Sequence, residues 1–337
     1  MNDKPSYFKK FLDEQSIESI EVPYKGLKTT VSTLPKLYRI LKEWKPDVIH
    51  THLVDANLLG MIAGKAIGIP KRIFTRHNST YHKEYHPKST IIDKFVAYLS
   101  TDIIAISKNV EDLLVIDENN PQSKVHLVYH GFDLNAINKN LDVANLKKKI
   151  NIASKYPIIG IVSRYMHWKG IQYIIPAFKK VLENYPNALL LICGNKNGDL
   201  SAEVSSMLSE LPEHSYQEVG FVDNVYDYYK LMDIFIHVPI NEKIEAFGQI
   251  YIETLLAERP SIITLSGIAR EIMRSGYNCL TVDFKNSKEI HEAIIEYVEN
   301  PDLYKNIQKN CLASLDERFS IETKVKALEN IYKGEPA

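Results

Sequence analysis

The sequence predicts an α/β protein built from two doubly wound parallel sheets. Three observations carry that expectation. Short aliphatic or β-branched runs alternate with helix-like stretches along most of the chain. The runs are mostly apolar from end to end, as strands buried on both faces are. The chain has 337 residues, enough for two cores of ordinary size.

Taken in order, IESIEV, PDVIHTH, KRIFTRH, TDIIAIS and KVHLVYH read as strands, with LPKLYRILKEW and LLGMIAGKAIG as helices between them. Residues 134–156 are polar and read as a connection, with Lys147, Lys148 and Lys149 as a solvated helix face. The later strands are YPIIGIVS, ALLLICG, YQEVGFV, DIFIHVP, PSIITLS and CLTVDF. Between them lie GIQYIIPAFKKVLENYP, closed by Asn-Tyr-Pro, and SAEVSSMLSEL. After Asn300 the pattern is helical to the end. The expected division is a first domain over 1–140, a second over 141–312, and a terminal helix within 313–337 that packs back on the first.

Net charge is −1, with 45% apolar and 25% charged residues, which fits a soluble globular protein and gives no reason to expect nucleic acid. Cys193, Cys279 and Cys311 show no paired spacing, which argues for a reducing compartment and against a disulfide framework. No apolar run reaches the roughly 18–20 residues of a spanning helix. The opening MNDKPSYFKKFLDEQ lacks the apolar centre of a signal peptide. A cytoplasmic protein is expected, with peripheral contact at the inner membrane face left open.

In such sheets ligands sit beyond the carboxyl ends of the strands, where loops enter helices. Three loops there carry polar groups: Ser163-Arg164-Tyr165-Met166-His167-Trp168-Lys169-Gly170, then Gly194-Asn195, then Glu245-Ala246-Phe247-Gly248-Gln249. A helix start offers unpaired N–H groups to an anion, and Gly248 lets the backbone approach it. Arg164 suits phosphate through its planar fork and Lys169 as a point charge. Singly, these are surface cations, a helix-start glycine and a first-turn acid; their joint placement at one sheet edge suggests a diphosphate site. Glu245 and Glu253 are eight positions apart. With a helix beginning near Phe247, Glu245 lies in the loop and Glu253 two turns inside. Carboxylates accept from diols and repel phosphate, which favours a nucleotide-sugar over ATP.

SRYMHWKG, GFVDNVYDYYKLMDIFIHVP and EAFGQIYIETLLAERP together resemble the nucleotide-binding half of the family 4 retaining glycosyltransferases, of GT-B fold. PDVIHTH, TDIIAISKNVEDLL and HGFD resemble that family's first-domain strands and interdomain segment. The resemblance implies two Rossmann-like domains facing a cleft. It also implies that Arg164 and Lys169 bind the donor diphosphate, with Phe247 and Gly248 meeting sugar and phosphate through the backbone. Glu245 would contact the donor sugar, Glu253 the ribose, and His77 the transferred sugar; Ser163, Gly194, Asn195 and Gln249 complete the donor set.

The family opens with a strand and a glycine-rich loop upstream of the segment present here, so a short first domain with edges needing cover is expected. Ser266-Gly267-Ile268-Ala269 and Asn278-Cys279-Leu280 also depart from the family pattern, which bears on donor-sugar choice.

His50 and His52 alternate on a strand end, and His77, His82 and His86 crowd one loop. Zinc is the sharper reading and strand-end or solvated histidines the plainer one, since no cysteine joins either group. No Asp-x-Asp occurs, so no metal or other cofactor is expected. Trp44 reads as the end of a helix, Trp168 as packing on its loop, and Tyr165 as core or interface rather than a stacking platform.

The function implied is transfer of a sugar, with retention, from a UDP- or GDP-sugar to a saccharide or lipid-linked acceptor in polysaccharide or glycoconjugate synthesis. Lys169→Ala is then expected to abolish turnover and leave the fold intact. Two alternatives stay open: a non-catalytic nucleotide-sugar-binding subunit that assembles with another transferase, and a sugar-nucleotide epimerase.

Overall fold

Residues 7–135, 141–222 and 224–335 are described by a computed structural model of the chain. The first six residues of the N-terminal segment, the boundary expected at 140/141 and Asp223 of GFVDNVYDYYK lie among or beside the residues not described. The expected fold class is observed: an α/β chain with two parallel sheets, of four and six strands. The chain divides into two compact units. One runs up to Thr75 and includes Ile92–Asp102; the other is Arg76–Ile91 with Ile103 onward.

In the first unit β1 (Val48–His52) pairs parallel with β2 (Lys71–Arg76), His50 opposite Ile73. The helices Thr30–Trp44 and Val54–Ile67 pack around Leu41, Ala63 and Ile69, with Leu34, Leu37 and Ile49 closing the cluster. The first of them starts at Thr30, one turn before the expected LPKLYRILKEW, and Trp44 is its exposed last residue. IESIEV departs from expectation. Residues 17–22 form no strand, and Ile17 and Ile20 stay exposed. An extended segment becomes a strand only where a neighbour takes its ladder hydrogen bonds, and no described strand pairs with it.

In the second unit β3 (Asp102–Ala105) pairs parallel with β4 (Val125–Leu127), Ile103 opposite Val125. The six-stranded sheet uses β5 (Ile158–Val162), β6 (Leu189–Cys193), β7 (Tyr216–Gly220), β8 (Ile234–His237), β9 (Ser261–Ile263) and β10 (Leu280–Thr281). Their spatial order is β10-β9-β8-β5-β6-β7. Each strand matches one of the expected runs.

Side-chain alternation divides the core between the two sheet faces. Ile159, Ile161, Leu190, Ile192, Ile234 and Ile236 meet the helices Ile171–Asn184, Ser201–Ser209 and Ser287–Glu299. Ile158, Leu189, Leu191 and Phe235 belong to the other cluster, with Tyr229 and Leu231 of the helix Val225–Leu231. Tyr165 is buried in the first cluster, the core role foreseen for it. Lys148 and Lys149 are exposed as expected, whereas Lys147 is half-buried, 3.8 Å from Asp233 Oδ1.

The helices Pro301–Ala313 and Ile321–Lys333 end the described chain. The start of the second is tied to residue 132: the Phe132 N–H donates to Phe319 O at 2.8 Å and the Ile321 N–H to Phe132 O at 3.1 Å. All three cysteines are free and buried, and burial pushes each thiol up to about 12, which removes thiolate chemistry. Among the described residues no helix is long and apolar enough to cross a membrane.

Candidate active site

β5 lies between β6 and β8, and the chain leaves it in opposite directions on its two sides. That is the switch point of a doubly wound sheet, where loops splay apart and leave a crevice. The loop after β5 carries Arg164 and Lys169, and the loop after β8 carries Glu245 and Gly248. Sheet order therefore brings together loops some 80 residues apart in the chain.

The first loop is anchored at both ends. Ser163 N–H donates to Cys193 O at 2.9 Å, Tyr165 N–H to Asn195 O at 3.3 Å, and Ile240 N–H to Trp168 O at 3.1 Å. Gly170 has φ +81°, and a Cβ there would lie 1.9 Å from Val238 O. Only glycine permits that approach, which fixes Lys169 beside the end of β8. Arg164 is exposed, and its guanidinium makes no hydrogen bond or ion pair with a described residue.

Lys169 is held differently. Its Nζ lies 2.6 Å from Glu245 Oε1 and 4.1 Å from the centroid of the Trp168 ring. His237, the last residue of β8, places Nε2 3.1 Å from the same carboxylate oxygen. Burial pushes the His237 pKa down, against the hydrogen bond to Glu245 that raises it. The imidazole is therefore neutral and donates its Nε2–H to Glu245. Burial on its own would raise the Glu245 pKa, but the Lys169 ammonium and the His237 bond hold it down at about 2. Glu245 is a buried anion with one oxygen committed; Oε2 makes no hydrogen bond to a described residue.

These pairings have a consequence for stability. A carboxyl group held at about 2 in the fold and at 4.5 when unfolded binds fewer protons folded than unfolded between those values. It adds on the order of 3 kcal/mol at neutral pH, fully present above 4.5 and lost as pH falls toward 2. The stability difference between the wild type and Glu245→Gln should accordingly narrow as pH drops from 6 to 2, read by denaturant unfolding at each pH. A pH-independent difference would show that the carboxylate charge is not what Lys169 stabilises.

The helix expected near Phe247 begins at Gln249 and runs to Leu256, with Gly248 as its N-terminal cap at φ +83°. A Cβ on Gly248 would meet Tyr251 Cε2 at 2.6 Å, so the close approach foreseen there is built in. Glu253 sits a little over one turn into this helix, not two, because the start falls later. Tyr229 OH donates to its Oε2 at 2.8 Å. Burial raises the Glu253 pKa and that hydrogen bond opposes the shift.

His77, Arg164, Glu245, Phe247, Gly248 and Gln249 line one cavity of about 480 Å³. Phe247 is buried against His130, ring centroids 4.9 Å apart, so only its backbone is offered. His77 stacks on His130 at 5.7 Å, nearly parallel. Lys169 stands just behind the lining, between Glu245 and Trp168. Ser163, Gly194, Asn195 and Glu253 are not brought to this cavity. Ser163 Oγ donates to Arg164 O at 2.8 Å, Gly194 N–H donates to Gly220 O at 2.8 Å, and Asn195 Oδ1 accepts from Asn197 N–H at 2.8 Å. These residues shape strand ends rather than the wall.

Three residues that sequence reasoning passed over, Asn109, Ser107 and Thr80, hold the Glu245 loop together with Ser266. Asn109 Nδ2 donates to Glu245 O at 2.6 Å and also contacts Ser79 Oγ at 3.1 Å. Ser107 Oγ donates to Ala246 O, and Thr80 Oγ1 to Lys243 O at 3.2 Å. Glu245 N–H donates to Ser266 Oγ at 3.3 Å, which gives the unusual Ser266-Gly267-Ile268-Ala269 loop a supporting role. The available signal was ISKN at the end of β3, where a serine and an asparagine follow an apolar strand. Among the described residues no group of three or more His, Cys, Asp or Glu is arranged to hold a metal ion.

A doubly wound sheet with a glycine-capped helix start, a buried carboxylate and a guanidinium unpaired among the described residues at its switch point has the form of a ligand-binding α/β protein, with groups suited to an anion and to hydroxyls. Similarity to known proteins makes this specific. Residues 142–312 match the family described as glycosyl transferases group 1, and residues 7–136 match glycosyltransferase family 4. The chain belongs to these glycosyltransferases, as its motifs led us to expect.

It is 25% identical over 314 residues to the capsular polysaccharide biosynthesis glycosyltransferase CapM of Staphylococcus aureus, covering 91% of this chain and 82% of that protein. It is 20% identical to the UDP-Gal:alpha-D-GlcNAc-diphosphoundecaprenol alpha-1,3-galactosyltransferase of Escherichia coli, over 90% and 79% of the two chains. Among solved structures, Anabaena HepE in complex with UDP-glucose superposes with a TM-score of 0.86 at 20% identity, covering 98% and 90% of the chains.

Proposed function

We propose that the chain transfers a hexose from a nucleotide-sugar to an acceptor hydroxyl, with retention at the anomeric carbon, in the cytoplasm and in polysaccharide or glycoconjugate synthesis. One observation carries this reading: the free Arg164 guanidinium, the Gly248 helix start and the anionic Glu245 line a single cavity at the switch point. Arg164 and the outward N–H groups after Gly248 would take the diphosphate. Lys169 has one N–H on Glu245 and two left for a phosphate oxygen. Glu245 Oε2 would accept from a hydroxyl of the donor sugar, and His77 would face the transferred ring.

As the bond to the leaving diphosphate breaks, negative charge grows on its oxygens. Preorganised cations and helix N–H groups stabilise that charge without reorganising, which is usually the largest single contribution to lowering such a barrier. No carboxylate is assigned as nucleophile, because Glu245 is engaged by Lys169 and His237. The acceptor hydroxyl then attacks from the face the diphosphate leaves, and its proton passes to the departing phosphate. The charge is balanced by protein groups, so the proposal calls on no metal.

The bound UDP-glucose of HepE and the UDP-galactose of the Escherichia coli relative favour a uridine donor. A thermal-shift panel of UDP-, GDP- and ADP-sugars tests this. The expected result is a rise in melting temperature with UDP-sugars and little or none with the others. No shift with any of them would remove the donor site from the proposal.

A further inference from the structure

The first unit turns a basic, partly apolar helical face to solvent. Residues 24–45 hold six cations and one acid, Glu43, in a chain whose net charge is −1. All six, Lys25, Lys28, Lys36, Arg39, Lys42 and Lys45, are exposed. None of them has an ion-pair partner among the described residues; Lys42 Nζ lies 5.9 Å from the centre of the Tyr38 ring. Along the helix Thr30–Trp44, Leu34, Leu37 and Leu41 turn inward. Val31, Pro35, Tyr38 and Lys42 follow one another on the outer side, with Lys36 and Arg39 beside them. Val31 is 85% exposed.

A second helix joins this face. Ile49 of β1 packs with the helices Thr30–Trp44 and Val54–Ile67. A Cβ on Gly64 of the latter would meet Ile49 Cγ2 at 3.1 Å and Arg72 Cδ at 3.5 Å, so Ile49 and Arg72 stand on the same side of the sheet. Arg72 Nε also donates to Leu99 O at 2.9 Å, at the end of the helix Ser89–Leu99. All three helices therefore cover one side of the sheet, and the side chains they turn away from it look outward together. From Ser89–Leu99 these are Lys94, Phe95 and Tyr98, the last 81% exposed.

We propose that this face lies on an anionic lipid surface, with the cations at the headgroup phosphates and the apolar side chains in the interface beneath them. The inference goes beyond the transferase reading and does not depend on it. Cations with a single acid among them are drawn to an anionic surface, at about fivefold in affinity for each. Val31, Tyr38, Phe95 and Tyr98 add apolar area that binding would take out of water, the pattern of a helix that rests in a membrane interface. A second copy of the chain meeting the same face would set cation against cation. The cavity beside this helix is lined by its inner residues Thr33 and Leu37, so it offers these outer side chains no groove for a peptide.

Flotation of the full chain, without substrate, with vesicles of phosphatidylcholine alone or mixed with phosphatidylglycerol tests the proposal. The expected result is binding to the mixed vesicles that weakens as salt rises, and little to phosphatidylcholine alone. Lys36→Gln, Arg39→Gln and Lys42→Gln combined should lower the partition constant about 100-fold. Val31→Ser with Tyr98→Ser should lower it about tenfold, and both sets should leave the melting temperature unchanged. Lys305→Gln with Lys309→Gln removes exposed cations from the helix Pro301–Ala313 of the other unit and should leave binding as it was. No flotation with the mixed vesicles at low salt overturns the proposal. So does an equal loss per charge from the Lys305/Lys309 variant, which would mark net charge alone as the cause. Tighter capture by heparin than by the mixed vesicles would overturn it too, and assign the face to a soluble polyanion.

Discussion

Lys169→Ala loses at least about 100-fold in turnover, the scale on which removing one charge-stabilising contact acts. It also loses stability. The sequence suggested a variant with an intact fold, and the structure adds a cost in stability, because it ties Lys169 to Glu245 at 2.6 Å, with the two side chains 17% and 7% exposed. Removing one member leaves a carboxylate out of water with only the neutral His237 N–H for company. For a buried pair that costs about 3 kcal/mol, partly relieved as Glu245 takes up a proton. Urea unfolding and steady-state transfer measured on one preparation check both halves. Adding Glu245→Gln to Lys169→Ala removes the stranded charge, so the double variant should regain stability and stay inactive. Undiminished turnover in Lys169→Ala would end its assigned role; unchanged stability would mean the pair is looser than its distance implies.

Arg164→Ala behaves in the opposite way toward the fold. The guanidinium is exposed and engages no described side chain, so its removal should move stability by no more than about 0.5 kcal/mol. Turnover should nonetheless fall by about 100-fold or more, because the planar fork at the cavity is lost. Arg164→Lys should recover only part of it, since a point charge cannot hold two oxygens in parallel. Donor titration and turnover together read the effect. A variant with normal kinetics would show that the open guanidinium is a surface cation after all. The contrast is itself diagnostic: two cations in one loop, one structurally free and one bound into the core.

Much of the second unit could be read from residues alone. Most of the six strands were foreseen because they are short apolar runs with a turn or helix signal on both sides, and burial on two faces leaves such runs little alternative; β7, at the sheet edge, is half-buried throughout. The positions of Arg164, Glu245 and Gly248 followed from the same logic, since strand ends in such sheets open toward a ligand. IESIEV had a comparable pattern but no described strand to bond with, and pairing is not a property of the six residues themselves. Ser163, Gly194, Asn195 and Glu253 stand at suitable strand ends or helix positions, yet the cavity is lined by others. Side-chain direction at a loop depends on which backbone acceptors the fold leaves within reach, as Ser163 Oγ shows by donating to Arg164 O.

Local chemistry settled which segments are strands, which are helices, and which residue types wait at their ends, because those choices depend on neighbours a few positions away. What joined Lys169 to Glu245 and His237, and Asn109 to the loop that carries Glu245, was the spatial order of the strands. β8 lies beside β5 although two strands and three helices intervene, and Asn109 reaches a carbonyl 136 residues further along the chain. Such contacts are chosen by how the sheet is assembled and how closely Gly170 lets two loops meet, and no window of sequence contains both partners.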